Sequence, residues 1–99
     1  MASILEKEAN TTEKRKTIAG ILWKRLDNNM LLQVDVAQVT YKNKGLPESP
    51  IANPGIDAIT DALRPVDSKY WFYLSDKKGT IHYAIDYDAH LDNIEKYLR

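Results

Sequence analysis

The sequence predicts an α+β domain in which four helices pack on a small antiparallel sheet that contains a C-terminal β-hairpin. Apolar residues recur at helical spacing in several separate segments, which indicates amphipathic helices. Two aromatic and β-branched stretches, Tyr70–Ser75 and Thr80–Ile85, flank the turn Asp76–Gly79 and are typical of a hairpin. The 99 residues are enough for one hydrophobic core, so residues 1–99 are expected to form a single domain.

The composition argues against several classes of function. There are no cysteines, so neither a disulfide framework nor a thiolate metal site can form. The formal net charge is zero and no long basic run occurs, which argues against nucleic acid or an anionic membrane as the main partner. No apolar run approaches the roughly 18 residues of a membrane span and no signal peptide precedes the first helix. We therefore expect the chain as given to be soluble, without a membrane segment.

The first helix presents two carboxylates on different sides. Residues three or four apart share a helix face, whereas residues two apart do not. Glu8 therefore shares a stripe with Ile4 and Leu5, while Glu6 lies away from it and is expected to be solvated. Partial burial at the edge of the stripe would prepare a carboxyl group for general acid catalysis. From this pattern alone, however, one more solvated helix charge is the favoured interpretation of Glu8.

The next elements follow from capping residues and spacing. Asn10–Glu13 resembles a capping box that opens a second helix, and Arg15 falls on the expected solvated face of that helix. Asp27–Asn29 is expected to end the helix, because asparagine tolerates a left-handed cap. Met30–Val39 is apolar and β-branched enough to predict a strand. Asn53-Pro54 is expected to cap and begin a third helix.

Two helices have a predicted apolar face. In the third helix the residues expected to be buried are Ile56, Ile59, Ala62 and Leu63. The last helix is expected to be capped by Asp86. Its shared apolar face comprises Tyr87, Leu91, Ile94 and Leu98.

Two histidines and two aspartates gather near the end of the chain: His82, Asp86, Asp88 and His90. Such a cluster can bind zinc. The capping role of Asp86 and the change from strand to helix between the histidines disrupt any fixed ligand spacing, so structural histidines are favoured and no metal is expected. No Gly-rich phosphate loop or nucleophile-elbow serine occurs, and no cofactor is expected.

Several segments, in order, resemble the YceG-like endolytic murein transglycosylases. Ala2–Glu8 is similar to the helix that carries the family's catalytic glutamate, which corresponds to Glu8 here. Met30–Asp35 resembles part of the next family block. The most distinctive segment is the stiff loop Gly45–Gly55, which contains three prolines and two glycines. Tyr70–Leu74 resembles part of the closing hairpin and helix, together with Gly79, His82 and His90.

The chain also departs from the family pattern. Lys24 stands where the family usually has Asn, and Val36 where it usually has Pro. About two dozen family residues are missing between Gln33-x-Asp35 and the Gly-Leu-Pro loop, which is a loop-scale difference. Only Thr40-Tyr41 remains of a Tyr-Asn-Thr-Tyr motif in that region. The membrane anchor and LysM-like domain that usually precede the catalytic part of the family are not expected within residues 1–99, so the resemblance implies a shortened catalytic domain.

The resemblance implies cleavage, without water, of the MurNAc–GlcNAc bond of peptidoglycan. Glu8 would act as general acid and then as general base, leaving 1,6-anhydro-MurNAc ends. By the same resemblance the substrate-binding residues are Gln33, Asp35, Tyr41, Asn53 and His82. A helix cap for Asn53 and a structural strand histidine for His82 remain alternatives.

Two other functions remain open. Asp35 could activate water as the second carboxylate of a glycan hydrolase. Alternatively, the shortened domain could be inactive and act as a glycan-binding or structural module. The resemblance further implies peptidoglycan glycan strands as partner, cell-wall synthases as candidate partners, and the extracytoplasmic face of the bacterial inner membrane as location.

Overall fold

The computed structural model describes residues 1–98, which form two compact units: Met1–Asp67, and a second unit that begins at Ser68. Four α-helices and a two-stranded antiparallel sheet confirm the predicted α+β class. The elements are α1 (Ala2–Glu8), α2 (Thr12–Asp27), a short 3₁₀ helix (Gln38–Tyr41), α3 (Ile56–Leu63), β1 (Phe72–Ser75), β2 (Ile81–Ala84) and α4 (Tyr87–Tyr97). Among residues 1–98, no helix has both the length and the apolar character that a membrane crossing requires.

The core of the first unit lies between α1, α2 and α3, which pack against one another. Each aliphatic side chain that is fully buried in this core stabilises the folded state by about 1.5–3 kcal/mol relative to an exposed one. Trp23 on α2 adds a polar link, because its Nε1 donates to the carbonyl oxygen of Ala62 on α3 at 2.9 Å. The largest buried apolar side chains are Ile4, Leu5, Ile18, Ile21, Leu22, Leu32 and Val34.

Arg15 is buried, so the prediction that it belongs to a solvated face was wrong. Its Nε donates to Asp61 Oδ2 at 2.8 Å, and the two side chains are only 9% and 3% exposed. The other guanidinium nitrogens donate to the carbonyl oxygen of Ala9 and to Thr12 Oγ1, both at 3.4 Å. Arg15 therefore joins α2 to α3 and to the residue that follows α1. Helical spacing alone does not show whether a cation faces water or a carboxylate on another helix.

A close backbone contact joins α2 to the segment after α3. The amide of Val66 donates to the carbonyl oxygen of Lys16 at 3.0 Å. A Cβ atom at Gly20 would overlap the carbonyl group of Val66. This contact therefore requires a residue without a side chain at position 20.

Two of the predicted helix starts are displaced. The N-cap of α2 is Thr11 rather than Asn10, and its Oγ1 accepts from the amide of Lys14 at 3.3 Å. Gly55, rather than Asn53, is the N-cap of α3. The predicted end of α2 is confirmed, because Asn29 adopts a left-handed φ of 56° directly after the helix.

The buried face of α3 differs from the predicted one. Ile56 is 82% and Leu63 76% exposed, whereas the buried residues of this helix are Ala58, Asp61 and Ala62. The ion pair with Arg15 holds Asp61 on the inner side of α3. The two alanines beside it are small enough for α3 to pack closely. This orientation turns the larger apolar side chains outward.

The predicted strand Met30–Val39 does not form. Gln33 has a φ of 54°, and its amide donates to the carbonyl oxygen of Thr40 at 3.2 Å. Thr40 Oγ1 also accepts from the amide of Val34 at 2.9 Å, and Arg25 Nη1 donates to the carbonyl oxygen of Leu32. The segment therefore folds back around the buried Thr40 side chain, which satisfies backbone groups that a sheet would otherwise satisfy.

The predicted C-terminal hairpin is confirmed in the second unit. β1 and β2 pair antiparallel, with Phe72 opposite Ala84 and Ser75 opposite Ile81. The turn between them contains Gly79 at a φ of 85°, a conformation that glycine adopts at little cost.

The last helix begins as predicted, but only part of its predicted apolar face packs on the hairpin. Asp86 Oδ1 accepts from the amide of Ala89 at 2.8 Å, which confirms the cap. The side chains that contact the hairpin include His90, stacked on Phe72 with ring centroids 5.2 Å apart. Tyr87, Leu91 and Leu98 from the predicted apolar face are exposed. Tyr87 nevertheless contacts Phe72, with ring centroids 5.7 Å apart, and Ile94 is half-buried.

We predict that Asp61→Ala lowers the free energy of unfolding by about 3–5 kcal/mol, because the buried guanidinium of Arg15 loses its counter-charge. Denaturation in urea measures this loss. The matched control is Asp57→Ala, an exposed acidic residue in the first turn of α3, for which only about 0.3–1 kcal/mol is expected. Equal losses for the two variants would show that the ion pair does not stabilise the packing of α3.

Candidate active site

Glu8 is the last residue of α1 and its side chain is half-buried. Ile4 and Leu5 of the same stripe are 1% and 0% exposed, so the stripe anchors the helix in the core of the first unit. Arg15 contacts the carbonyl oxygen of Ala9, the residue that directly follows Glu8. The backbone on both sides of the Glu8 carboxylate is therefore held by buried groups.

Asp35 and Tyr41 form a direct side-chain pair. The Tyr41 hydroxyl donates to Asp35 Oδ1 at 2.5 Å. Tyr41 is the last residue of the 3₁₀ helix, and Asp35 lies at the turn that precedes that helix. Gln38 strengthens the turn, because its Nε2 donates to the carbonyl oxygen of Asp35 at 2.9 Å. The fold-back of this segment thus brings the phenol onto the carboxylate.

The environment of Tyr41 links this pair to Glu8. Desolvation of the phenol, the hydrogen bond to Asp35, and the negative charges of Asp35 and Glu8 together raise the pKa of Tyr41 to about 12, whereas the positive charge of Arg25 opposes them. A charge influences the phenol in this way only when it lies close by. The negative charge of Glu8 is therefore one of the influences on the Tyr41 phenol, after desolvation and Asp35.

The loop Gly45–Gly55 packs beside α1. Ser3 Oγ accepts from the amide of Ile51 at 3.2 Å, and Glu6 Oε1 accepts from the amide of Gly55 at 2.5 Å. The first four residues of the chain and the loop also line a cavity of about 240 Å³. Glu6 is half-buried, and its carboxylate makes an exposed hydrogen bond to this loop, a partner that the expectation of a solvated Glu6 did not include.

Gln33 and Asn53 are both exposed in irregular segments of the first unit. Gln33 occupies the left-handed position described above, and Asn53 lies within the proline loop two residues before the N-cap of α3. Asn53 therefore does not cap α3. Their exposed amides are available for hydrogen bonds with a ligand.

His82 lies on β2 in the second unit. Its Nε2 is 2.8 Å from Asp76 Oδ2, and its ring stacks on Tyr97 with centroids 3.5 Å apart. The hydrogen bond with His82 is the main cause that lowers the pKa of Asp76 below its ordinary value. Within its own unit, His82 thus connects the hairpin turn to α4. Among residues 1–98, no group of three His, Asp or Glu side chains is arranged to hold a metal ion.

Sequence reasoning missed the residues that build the scaffold of this site. Ser3, Glu6 and Arg15 make their contacts with segments far away in sequence. For Glu6, the one available signal was its position on the same short helix as Glu8, and that signal did not identify a partner.

The fold and these side chains define an α+β domain with a half-buried carboxyl group at Glu8 and a hydrogen-bonded tyrosine–aspartate pair. The YceG-like family matches the sequence over residues 1–39 and 37–96. The chain therefore belongs to the YceG-like family.

Similar proteins come from several bacteria. The chain is 28% identical to the endolytic murein transglycosylase of Streptococcus pneumoniae strain D39 and 30% identical to that of Bacillus subtilis strain 168. Both matches cover 99% of this chain, but only 23% and 33% of those proteins. The crystal structure of a YceG-like protein from Listeria monocytogenes matches with a TM-score of 0.84 at 33% identity, covering 93% of this chain and 38% of that one. The chain thus spans less than half the length of these relatives.

We predict that Asp35→Ala lowers the pKa of Tyr41 from about 12 toward its ordinary value of 10, because the acceptor and one negative charge are removed. Glu8→Gln should lower it by a smaller amount, since only a more distant charge is lost. NMR titration of the Tyr41 ring measures both shifts. Glu13→Gln, an exposed change on α2, serves as control and should leave the value unchanged.

The raised pKa of Tyr41 also makes the stability of the protein depend on pH. The folded protein keeps the Tyr41 proton to higher pH than the unfolded chain does, so this contribution is fully present below pH 10 and is lost as the pH rises toward about 12. A Tyr41 pKa that did not respond to Asp35→Ala would contradict the paired geometry.

Proposed function

We propose that this chain is the shortened catalytic domain of an endolytic murein transglycosylase, which cleaves the MurNAc–GlcNAc bond of peptidoglycan strands and leaves 1,6-anhydro-MurNAc ends. The main supporting observation is the position of Glu8, which is half-buried at the end of α1 and whose charge is among those that raise the pKa of Tyr41. Its relatives in S. pneumoniae and B. subtilis carry the name endolytic murein transglycosylase.

In the proposed reaction Glu8 performs two proton transfers. The protonated carboxyl group first donates its proton to the glycosidic oxygen, so that the bond to the anomeric carbon breaks and the GlcNAc side leaves as an alcohol. The resulting carboxylate then accepts the proton of the C6 hydroxyl, whose oxygen closes onto the anomeric carbon. Glu8 ends protonated, as it began, and no water is consumed. A single carboxyl group is therefore sufficient.

Asp35 and Tyr41 are proposed to bind the substrate beside Glu8. The hydrogen bond occupies Asp35 Oδ1 and leaves Oδ2 outside that pair. A carboxylate held in this way can accept from sugar hydroxyl groups and can favour positive charge at the anomeric carbon. The exposed amides of Gln33 and Asn53 are suited to hydroxyl and N-acetyl groups. For His82, in the second unit, a substrate-binding role is proposed from the family resemblance alone.

The proposed shortening has independent support. The matches to the two named relatives extend over 126 and 120 aligned positions, more than the 99 residues of this chain. The two parts of the family match meet at residues 37–39, directly before Thr40-Tyr41. This function also implies an extracytoplasmic location, where peptidoglycan lies, and makes cell-wall synthases candidate partners.

A glycan hydrolase is the second candidate, and the position of Asp35 favours it. Asp35 and Glu8 both raise the pKa of the same phenol, and in this second candidate the two carboxylates would act together. In inverting hydrolases the second carboxylate activates water. The mass of the product separates the two reactions, because hydrolysis yields an end one water heavier than the anhydro form. Asp35→Asn should abolish hydrolysis but only weaken substrate binding in a transglycosylase.

A non-catalytic glycan-binding module is the third candidate. In that case the chain would sediment with purified sacculi but release no soluble muropeptides. Incubation with sacculi followed by mass analysis therefore separates all three functions in one experiment.

We predict that Glu8→Gln abolishes or nearly abolishes the release of anhydro-muropeptides. Loss of a general acid–base group typically costs 10²–10⁴-fold in rate, and the upper end is expected here because one side chain serves both steps. The melting temperature should be unchanged or slightly raised, because glutamine keeps the shape of the glutamate side chain and removes a half-buried charge. Muropeptide mass analysis and thermal denaturation provide the two measurements.

The matched control is Glu13→Gln, the same chemical change at an exposed position of α2. It should leave both activity and melting at the parent level. A Glu8→Gln protein that still releases anhydro-muropeptides at the parent rate would end the assignment of Glu8 as the acid and base.

A further inference from the structure

Two side chains of α1, one helical turn apart, hold the loop that leads into α3. Ser3 Oγ accepts from the amide of Ile51, and Glu6 Oε1 accepts from the amide of Gly55. Ser3 is buried, and the Glu6 bond, at 2.5 Å, is the shorter of the two. Both ends of a five-residue stretch of the loop are therefore fixed to a single rigid helix.

We propose that Glu6 is a positioning residue: its carboxylate clamps the amide of Gly55 and thereby fixes Asn53 relative to Glu8. This inference rests on the proposed function, in which Asn53 binds substrate beside the catalytic glutamate. Asn53 lies between the two clamped amides, and Glu8 lies on the same helix as Ser3 and Glu6. The clamp thus connects a binding group to a catalytic group through a few bonds.

The position of Gly55 and its lack of a side chain suit this hydrogen bond to Glu6. Gly55 is the N-cap of α3, and no side chain of its own caps the helix. A Cβ atom at position 55 would lie 3.2 Å from Glu6 Oε1, which is closer than most such contacts in proteins. Glycine therefore allows the carboxylate to approach the amide. A negative charge at the start of α3 is also favoured by the helix dipole.

The effect of Glu6 on the Gly55 amide can be distinguished experimentally from the effects of the neighbouring charged groups. Glu6 and Gly55 line a cavity of about 300 Å³ together with Arg15, Ile56, Asp57 and Ala58. Arg15 is engaged with Asp61, so Asp57 is the neighbouring carboxylate of this cavity that needs a control. Glu8 lies two residues from Glu6 and needs a second control.

The first test is an NMR titration of the parent chain, and it does not depend on activity. The amide proton of Gly55 should shift as Glu6 is protonated on acidification, because a carboxylate accepts more strongly than a carboxylic acid. The shift should vanish in Glu6→Gln, whose side chain does not ionise. It should persist in Glu8→Gln and in Asp57→Asn. A Gly55 amide that follows either of these two groups, or none, overturns the clamp.

The second test compares kinetics on purified sacculi. Glu6→Leu removes the acceptor, and a catalytic constellation that shifts by about 1 Å can lose about 10²-fold in rate. We expect a loss of this order in kcat/KM, mostly through a higher KM, because Asn53 binds substrate and Glu8 is intact. Glu6→Gln keeps an oxygen acceptor and should lose clearly less. Glu13→Leu, at an exposed site on α2, controls for the change of side chain.

If Glu6→Leu does not fold, a second variant tests the same contact. Gly55→Ala places a methyl group 3.2 Å from Glu6 Oε1 without altering the sequence of α1, so the carboxylate or the loop must shift by a few tenths of an ångström, and KM should rise in the same direction. Parent-level kinetics in both Glu6→Leu and Gly55→Ala would overturn the positioning role. If Glu8→Gln remained active while the Gly55 amide still titrated with Glu6, the proposed function would fail and the clamp would stand as a structural bond.

Discussion

The buried ion pair between Arg15 and Asp61 is the interaction on which the first unit depends. An unpaired charge at such a buried position would cost several kcal/mol, so each partner requires the other. The pair determines which face of α3 is buried. Through the carbonyl oxygen of Ala9, Arg15 also holds the end of α1 directly after Glu8. The position of the candidate catalytic carboxylate therefore depends on packing between two other helices.

Local signals in the sequence were sufficient for the elements that depend on local contacts. The hairpin follows from its aromatic strands and from a turn with glycine at a left-handed position, and the last helix follows from the cap at Asp86. Asn29 ends α2 for the same kind of reason. The four helices occur in the predicted order, which gives the α+β class.

Several of the wrong predictions share a physical cause. They concerned residues whose partners are distant in sequence or whose side chains bond to backbone groups in place of a sheet partner. Arg15 and Glu6 bind groups on other elements, and Thr40 satisfies backbone groups within Met30–Val39. For the site, the stripe on α1 and the family resemblance identified Glu8 as a candidate. No periodicity reveals that Tyr41 bonds to Asp35, because a fold-back rather than a strand brings them together.

The bonds at Thr40 have a consequence for the evolution of this family. They close a ring of chain from Gln33 to Thr40, and the family match divides inside that ring, at residues 37–39. Closing a longer ring adds only about 0.6 kcal/mol for each doubling of its length. Homologues can therefore gain or lose residues at this point while Leu32 and the helices keep their places, so the rim of the site can vary in length on an unchanged core.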